Sequence, residues 1–214
     1  LDGVITSDQA LFLERIPSSM LIVGGGVIGL EIGYIYNTFG TKVTIVEMLP
    51  EILPRQDKEI AAELRKHLER RGIKIYTDSR VREIKENGDV LQTIFETKDG
   101  IMTLNTEKVL MATGRKPVVD AFKDVGIKIE KTGVAVNEYL QTNIDNIYAI
   151  GDVTGRSMLA HVASHQGITA VKNILGERQK MDYRAIPSCI YTSPEVASVG
   201  MTEEEARALF KENV

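Results

Sequence analysis

The apolar pattern of the chain changes period several times, and each change predicts a change of element. Met20–Val23 is a short apolar run of strand length, and glycines follow it at once. A helix to about Phe39 comes next, with Gly40 at the position of a C-cap. Lys42–Glu47 reads as a second strand with β-branched residues. From Asp57 to Arg71 the apolar positions Ile60, Leu64 and Leu68 recur every four residues, which predicts an amphipathic helix ended by Gly72. Ile73–Tyr76 is then a third strand.

The period then shortens. Between Val81 and Leu104 short alternating strands are joined at Asn87-Gly88 and Asp99-Gly100, both hairpin turn signals. An antiparallel meander is therefore expected here, inserted before a last strand, Val109–Ala112, that returns to the main sheet. Arg115 to Asp120, with Pro117, reads as a crossover into a second unit. That unit holds a strand at Ile147–Ile150, the pair Gly151-Asp152, and a helix from about Ala160 to Leu175. A third fragment begins near Pro187. Strands alternating with helices predict an α/β fold built on a parallel sheet.

Composition narrows the classes of function. Hydrophobic residues make up 43% of the 214 and charged residues 26%, as in ordinary globular proteins. The net charge of −4, with both signs interspersed, argues against a nucleic-acid partner, and no apolar run is long enough for a membrane span. Cys189 is the single cysteine, so an intrachain disulfide is excluded. Its apolar neighbours Ile186 and Ile190 predict a thiol facing the core. Three scattered histidines and one cysteine make no metal-ligand cluster, and no metal is expected. The chain opens on Leu1 and stops within a charged helical pattern, so both ends are expected to be cuts through a longer protein.

The sharpest chemical signal is Gly24-Gly25-Gly26-Val27-Ile28-Gly29, a GxGxxG spacing between a strand and a helix. Gly24 permits the tight turn, Gly26 leaves room for a pyrophosphate against the backbone, and Gly29 lets the helix pack on its strand. The helix N-terminus then offers N–H groups and a favourable dipole to the phosphates. Glu47 ends the second strand, eighteen residues after Gly29, where a carboxylate meets the adenosine ribose hydroxyls. A 2′-phosphate about 4 Å from it would be repelled by up to ~4 kcal/mol at an effective dielectric of about 20. Arg55 is the nearest following cation and is expected in solvent, so the pattern favours NAD over NADP. On the same reasoning Glu47→Arg is expected to weaken NADH and improve NADPH binding.

Together with GGGVIGLE and KVTIVE, the runs ATGRKP (112–117), YAIGD (148–152), MLAH (158–161) and the stretch Ile186 to Gly200 resemble the pyridine-nucleotide disulfide oxidoreductases. These are flavoenzymes with tandem FAD and NAD domains, and the likeness is strongest to their dihydrolipoamide dehydrogenase branch. The resemblance implies a Rossmann-like NAD-binding domain at 1–116, the carboxyl-terminal part of an FAD-binding domain at 117–185, and the start of a dimerisation domain at 186–214. It implies that Val27 shields the flavin until nicotinamide enters, and that Glu31 stands beside nicotinamide and flavin. Gly114 and Arg115 would pass close to NAD, and Val81 would offer backbone groups to the adenine edge. Asp152 would accept a hydrogen bond from the flavin ribityl chain, with Met158, Leu159, Ala160 and His161 bordering the flavin's pyrimidine end. Many relatives have Lys and Glu where this chain has Val162 and Gln166.

The family reaction carries electrons from dihydrolipoamide through a cysteine pair and FAD to NAD. The redox cysteine pair and the carboxyl-terminal His-Glu base of the family are missing from these residues, so no catalytic residue is assigned. The implied parent is a homodimer, cytoplasmic or in the mitochondrial matrix, acting on dihydrolipoamide carried by a 2-oxo acid dehydrogenase or glycine cleavage complex. Two alternatives stay open: another flavoenzyme of this architecture (a soluble transhydrogenase, mercuric reductase or NADH oxidase), and a non-catalytic NAD-binding module.

Overall fold

The computed structural model describes residues 1–210, apart from the side chain of Lys123. The chain divides into two units: Leu1–Gly114 together with the residues from Pro187 on, and Arg115–Ile186.

The first unit is built on a five-stranded parallel sheet. Its early elements are strand β1 (Val4–Ile5), helix α1 (Ser7–Ala10), β2 (Ser19–Val23), α2 (Val27–Thr38), β3 (Lys42–Val46), α3 (Lys58–Arg70) and β4 (Lys74–Tyr76). A meander follows, β5 (Arg80–Asn87), β6 (Val90–Thr97) and β7 (Gly100–Thr106), before β8 (Lys108–Met111) returns to the sheet. The strand order is β1-β8-β2-β3-β4, with Ile22 level with both Ile45 and Leu110. The central strands β2 and β3 are covered on both faces and read as largely apolar runs, as a covered parallel sheet requires. On one face Met20, Ile22, Val43 and Ile45 pack with Leu30 and Ile32 of α2 and with Ala61, Leu64 and Leu68 of α3. On the other, Leu21, Val46 and Val109 meet Leu91 and Phe95 of the meander. The Phe95 ring lies 5.3 Å from that of Tyr76, tilted by 59°.

Several expectations are corrected in detail. The α3 stripe is Ala61, Leu64 and Leu68, while Ile60 is 46% exposed. A spacing of four drifts by about 40° around a helix, which carries Ile60 off the buried edge. The meander turns sit one residue away from their expected places: Asn87 pairs with Val90 and Thr97 with Gly100, leaving Gly88-Asp89 and Lys98-Asp99 as the loops. The stretch before Met20 holds β1, paired with β8, and α1, closed by a capping box between Thr6 and Gln9. Two strand residues are too few to show a period, and their pairing partner is more than a hundred residues away.

Beyond Pro187, strands β11 (Pro187–Ile190) and β12 (Val196–Val199) form a hairpin, and α5 (Glu203–Phe210) follows. Ile190 and Val196 join the core of the first unit. Strand alternation then turns Cys189 outward, and its thiol is exposed. Of the neighbours that suggested a core thiol, Ile190 is itself the residue that points inward, one position along the strand from Cys189.

The second unit has little regular sheet. A two-residue antiparallel pair, β9 (Ile129–Glu130) with β10 (Gly133–Val134), and α4 (Ala160–Ile174) are its main elements. Ile147–Ile150 is not a strand; Tyr148 makes a single isolated bridge to Gln141. One neighbouring segment gives too few ladder bonds to hold a strand, whatever the β propensity of Ile-Tyr-Ala-Ile. A Cβ on Gly133 would fall 2.4 Å from the Val153 carbonyl oxygen, and one on Gly155 even closer to that of Thr132. Two backbone segments therefore meet with no room for a side chain, which fixes the 3₁₀ turn at Gly151–Thr154.

Candidate functional site

The glycine loop sits at the carboxyl end of β2 and opens α2, at the rim where open parallel sheets bind ligands. Its glycines are required for different reasons. At Gly24, φ is +112° and a Cβ would lie 2.4 Å from the Ala112 carbonyl oxygen. At Gly29 a Cβ would lie 2.2 Å from the Gly24 carbonyl oxygen and 3.1 Å from Ile22, so the bare helix turn is what lets α2 approach the sheet. Gly26 is different. Its φ of −78° suits any residue, and a Cβ there would meet no protein atom within 4 Å.

Gly26 is also the N-cap of α2, with no side chain capping the helix and no acid in its first turn. The N–H groups opening the helix, from Val27, Ile28 and Gly29, have no partner within it. Val27 is 38% exposed at this opening, and Ile28 is half-buried against the core.

Glu47 stands at the rim one strand over and is only 8% exposed. Its Oε2 accepts the Gly25 N–H at 2.6 Å and its Oε1 accepts the Leu49 N–H at 2.7 Å. A carboxylate has about four acceptor positions, so two are left for hydroxyls presented from the rim. The loop after Glu47 closes over the glycines: Leu53, at a φ of +51°, donates its N–H to the Gly25 carbonyl at 3.1 Å, and Ile52 is fully buried. A Cβ on Gly25 would sit 2.9 Å from Ile52. Gly25, Ile52 and Leu53 were not singled out from the sequence; the run of three glycines was the one signal pointing at Gly25. Arg55 is exposed, as expected, and no cation hydrogen-bonds to Glu47 among the described residues.

Other expected residues fall at varied distances from this rim. Gly114 follows β8, next to β2, with a φ of +112° and open space where a Cβ would be. Val81, the second residue of β5, lies two residues after Ser79, whose N–H donates to the Glu47 carbonyl, and its side chain packs on the second core cluster. Glu31 is half-buried on α2, and its Oε1 accepts the backbone N–H of Tyr191 at 2.9 Å. It therefore ties α2 to the hairpin that carries Cys189.

In the second unit a hollow of about 390 Å³ is lined by Arg115, Lys116, Pro117, Val118, Asp152, Val153 and Met158. Arg115 thus falls beside Asp152 and Met158. Asp152 is exposed at the start of the 3₁₀ turn, and Leu159 is the N-cap of α4, with no side-chain cap and no acid in the first turn. Ala160 and His161 open that helix and are exposed. Among the described residues no group of three or more histidines, cysteines or acids is placed to hold a metal ion. No described helix is long and apolar enough to cross a membrane.

Comparison with known proteins gives consistent matches over both units. Residues 2–167 match the profile of the family described as pyridine nucleotide-disulphide oxidoreductase, and residues 186–213 that of its dimerisation domain. A dihydrolipoyl dehydrogenase of Mycobacterium leprae is 42% identical over 217 aligned positions, covering 96% of this chain. One of Bacillus subtilis is 43% identical and covers 97%. The chain spans 45% of the length of each. The solved HOCl-induced flavoprotein disulfide reductase RclA from Escherichia coli superposes with a TM-score of 0.86 at 30% identity, over 97% of this chain and 48% of that one.

Proposed function

The chain belongs to the pyridine nucleotide-disulphide oxidoreductase family, and from that membership we propose that its first unit binds NAD(H) at the glycine loop while its second supplies part of a flavin site around Asp152. Gly26 carries the nucleotide reading. Nothing in the fold needs glycine at that position, because the backbone is unstrained and the space beside it is open. The missing Cβ instead preserves access to the uncapped N–H groups of α2, and a pyrophosphate fits that opening by charge and by size. Glu47 supports NAD in preference to NADP: it is buried, already fixed by two backbone donors, and has no cation hydrogen-bonded to it among the described residues.

The residues around Asp152 fit a flavin. Asp152, whose exposed carboxylate lines the hollow beside Met158, can accept from a ribityl hydroxyl, and the α4 end without a side-chain cap can offer backbone donors to an electron-rich ring edge; both support the reading. When bound, flavin passes hydride equivalents between nicotinamide and a dithiol. The chain's own part is to hold and orient the nucleotide through the Gly26–Gly29 backbone and Glu47, with Val27 exposed at the opening of α2. We assign the complete reaction, oxidation of dihydrolipoamide with NAD as acceptor, to a longer, dimeric polypeptide that includes this sequence. The names of the relatives and the dimerisation profile support that reading. A dithiol step needs two thiols, and Cys189 is the only one here.

Titration of the 214-residue chain with NADH and NADPH tests the nucleotide reading. NADH is expected to bind more tightly; equal affinity for both, or none for either, would overturn it. Turnover of dihydrolipoamide with NAD by this chain alone would show that the thiols need not come from elsewhere.

A further inference from the structure

The 3₁₀ turn that presents Asp152 is held from beneath by a buried side chain that the flavin reading leaves without a role. Gln166 is fully buried on α4, and its Oε1 accepts the Gly151 N–H at 2.6 Å. Its Nε2 donates to the Tyr183 hydroxyl at 2.9 Å, which fixes the direction of the amide. The carbonyl of the same residue is also fixed: it accepts the buried Thr154 hydroxyl at 2.8 Å. Gly151 itself lies at a φ of +73°, and a Cβ there would come 3.3 Å from Ala163 of α4. A left-handed residue clamped at both its N–H and its C=O has one direction in which to send the next Cα. That next residue is Asp152.

We propose that Gln166 is the positioning residue of this turn, setting where the Asp152 carboxylate stands for the hydroxyl-bearing chain of a flavin; the assignment rests on the flavin reading above. The chemistry asks for an acceptor toward Gly151 and a group toward Tyr183 that pairs with a hydroxyl, which either donates or accepts. An amide meets both demands without a buried charge. A carboxyl group also meets both, whereas an apolar side chain of similar size meets neither and strands the Gly151 N–H.

Two variants of the full chain separate these cases, Gln166→Leu and Gln166→Glu. With FAD as the probe, followed by quenching of flavin fluorescence, Gln166→Leu is expected to lose on the order of tenfold in affinity or more, the effect of one stranded buried donor. Gln166→Glu is expected to stay within about threefold of the unaltered chain, because the acceptor is retained. NADH affinity, read in the first unit, is expected to be the same in all three and reports that the chain has folded. Exchange of the Gly151 amide without ligand gives a second reading: protected in the unaltered chain and in Gln166→Glu, open in Gln166→Leu. Unchanged FAD affinity and an equally protected Gly151 amide in Gln166→Leu would overturn the proposal. If the unaltered chain takes no FAD, the flavin reading falls by itself. The exchange pattern then decides whether Gln166 holds the turn.

Discussion

Glu47 Oε2 accepts the backbone N–H of Gly25 at 2.6 Å, so the acid at the end of one strand braces the glycine loop at the end of the next. The same carboxylate takes the Leu49 N–H through Oε1, and the side chain is buried. Glu47 is therefore part of the loop's structure before any ribose reaches it. Glu47→Gln keeps the shape but turns one acceptor into a donor that faces another N–H. One buried N–H is left unpaired, at about 1–3 kcal/mol. NADH affinity is expected to fall on the order of tenfold, with a lower melting temperature, read by fluorescence titration and calorimetry. Glu47→Arg removes both acceptors and buries a cation, so it is expected to weaken NADH and NADPH alike. That replaces the nucleotide switch expected from sequence; a Glu47→Arg chain with improved NADPH affinity would restore the simpler view.

Gly26→Ala and Gly29→Ala form a matched pair. A methyl at position 26 meets no protein atom within 4 Å, so the melting temperature is expected to change little, within about ±0.5 kcal/mol in stability. The same methyl stands in the opening that the proposed pyrophosphate fills, and NADH affinity is expected to drop tenfold or more. At position 29 the methyl lies 2.2 Å from the Gly24 carbonyl oxygen, so α2 must move off the sheet. A loss of about 1–3 kcal/mol in stability is expected there, the usual result of overpacking. Gly26→Ala binding NADH as tightly as the unaltered chain would remove the main support for the site.

Cys189 gives a chemical check on the hairpin register. Its neighbour Ile190 is fully buried and its cross-strand partner is Ala197, which turns the thiol to solvent. One equivalent of thiol is expected to react with a disulfide reagent in the folded chain, at a rate close to that in denaturant. A thiol that reacts only after unfolding would mean the hairpin is shifted by one residue, since such a slip exchanges the two faces.

The sequence was most legible where one local rule decided the outcome. Gly24 and Gly29 signal a turn and a close helix approach through the positive φ of the one and the contact of the other with the Gly24 carbonyl oxygen, both local to the loop. The strands Met20–Val23 and Lys42–Val46 announce themselves because burial on both faces leaves a nearly continuous apolar run, with Thr44 its buried polar exception. Legibility failed where the cause was distant. The strand Val4–Ile5 exists through its pairing with Val109 and Leu110, and Ile147–Ile150 has strand composition but only one bridging partner. Cys189 was misplaced because two flanking isoleucines look alike whether the strand turns one face inward or the other. In the site, the grip of Glu47 on Gly25 and that of Gln166 on Gly151 join residues 22 and 15 positions apart, and no spacing rule foresees them.

Glu107 offers a test in pH. It accepts the Ser18 N–H at 2.8 Å and the Ser18 hydroxyl at 3.0 Å, with Arg15 at 2.9 Å, and so pins the start of β2 to the turn between β7 and β8. The Ser18 backbone N–H holds its carboxyl below the usual glutamate range, with the Ser18 hydroxyl and the charges of Arg15 and Lys108 adding to the effect against the opposing pull of burial. A carboxyl depressed in the folded state binds its proton more readily once unfolded. Its contribution to stability is therefore fully present above the ordinary glutamate value and is lost as the pH falls through the lowered folded value. Glu107→Gln removes that dependence. The stability difference between the two chains, from denaturant melts, is expected to be constant above about pH 6 and to shrink below the ordinary glutamate value of about 4.5. A difference that stayed constant through the acid range would show that Glu107 titrates alike in the folded and unfolded chain, and that the hydrogen bonds to Ser18 do not hold in solution.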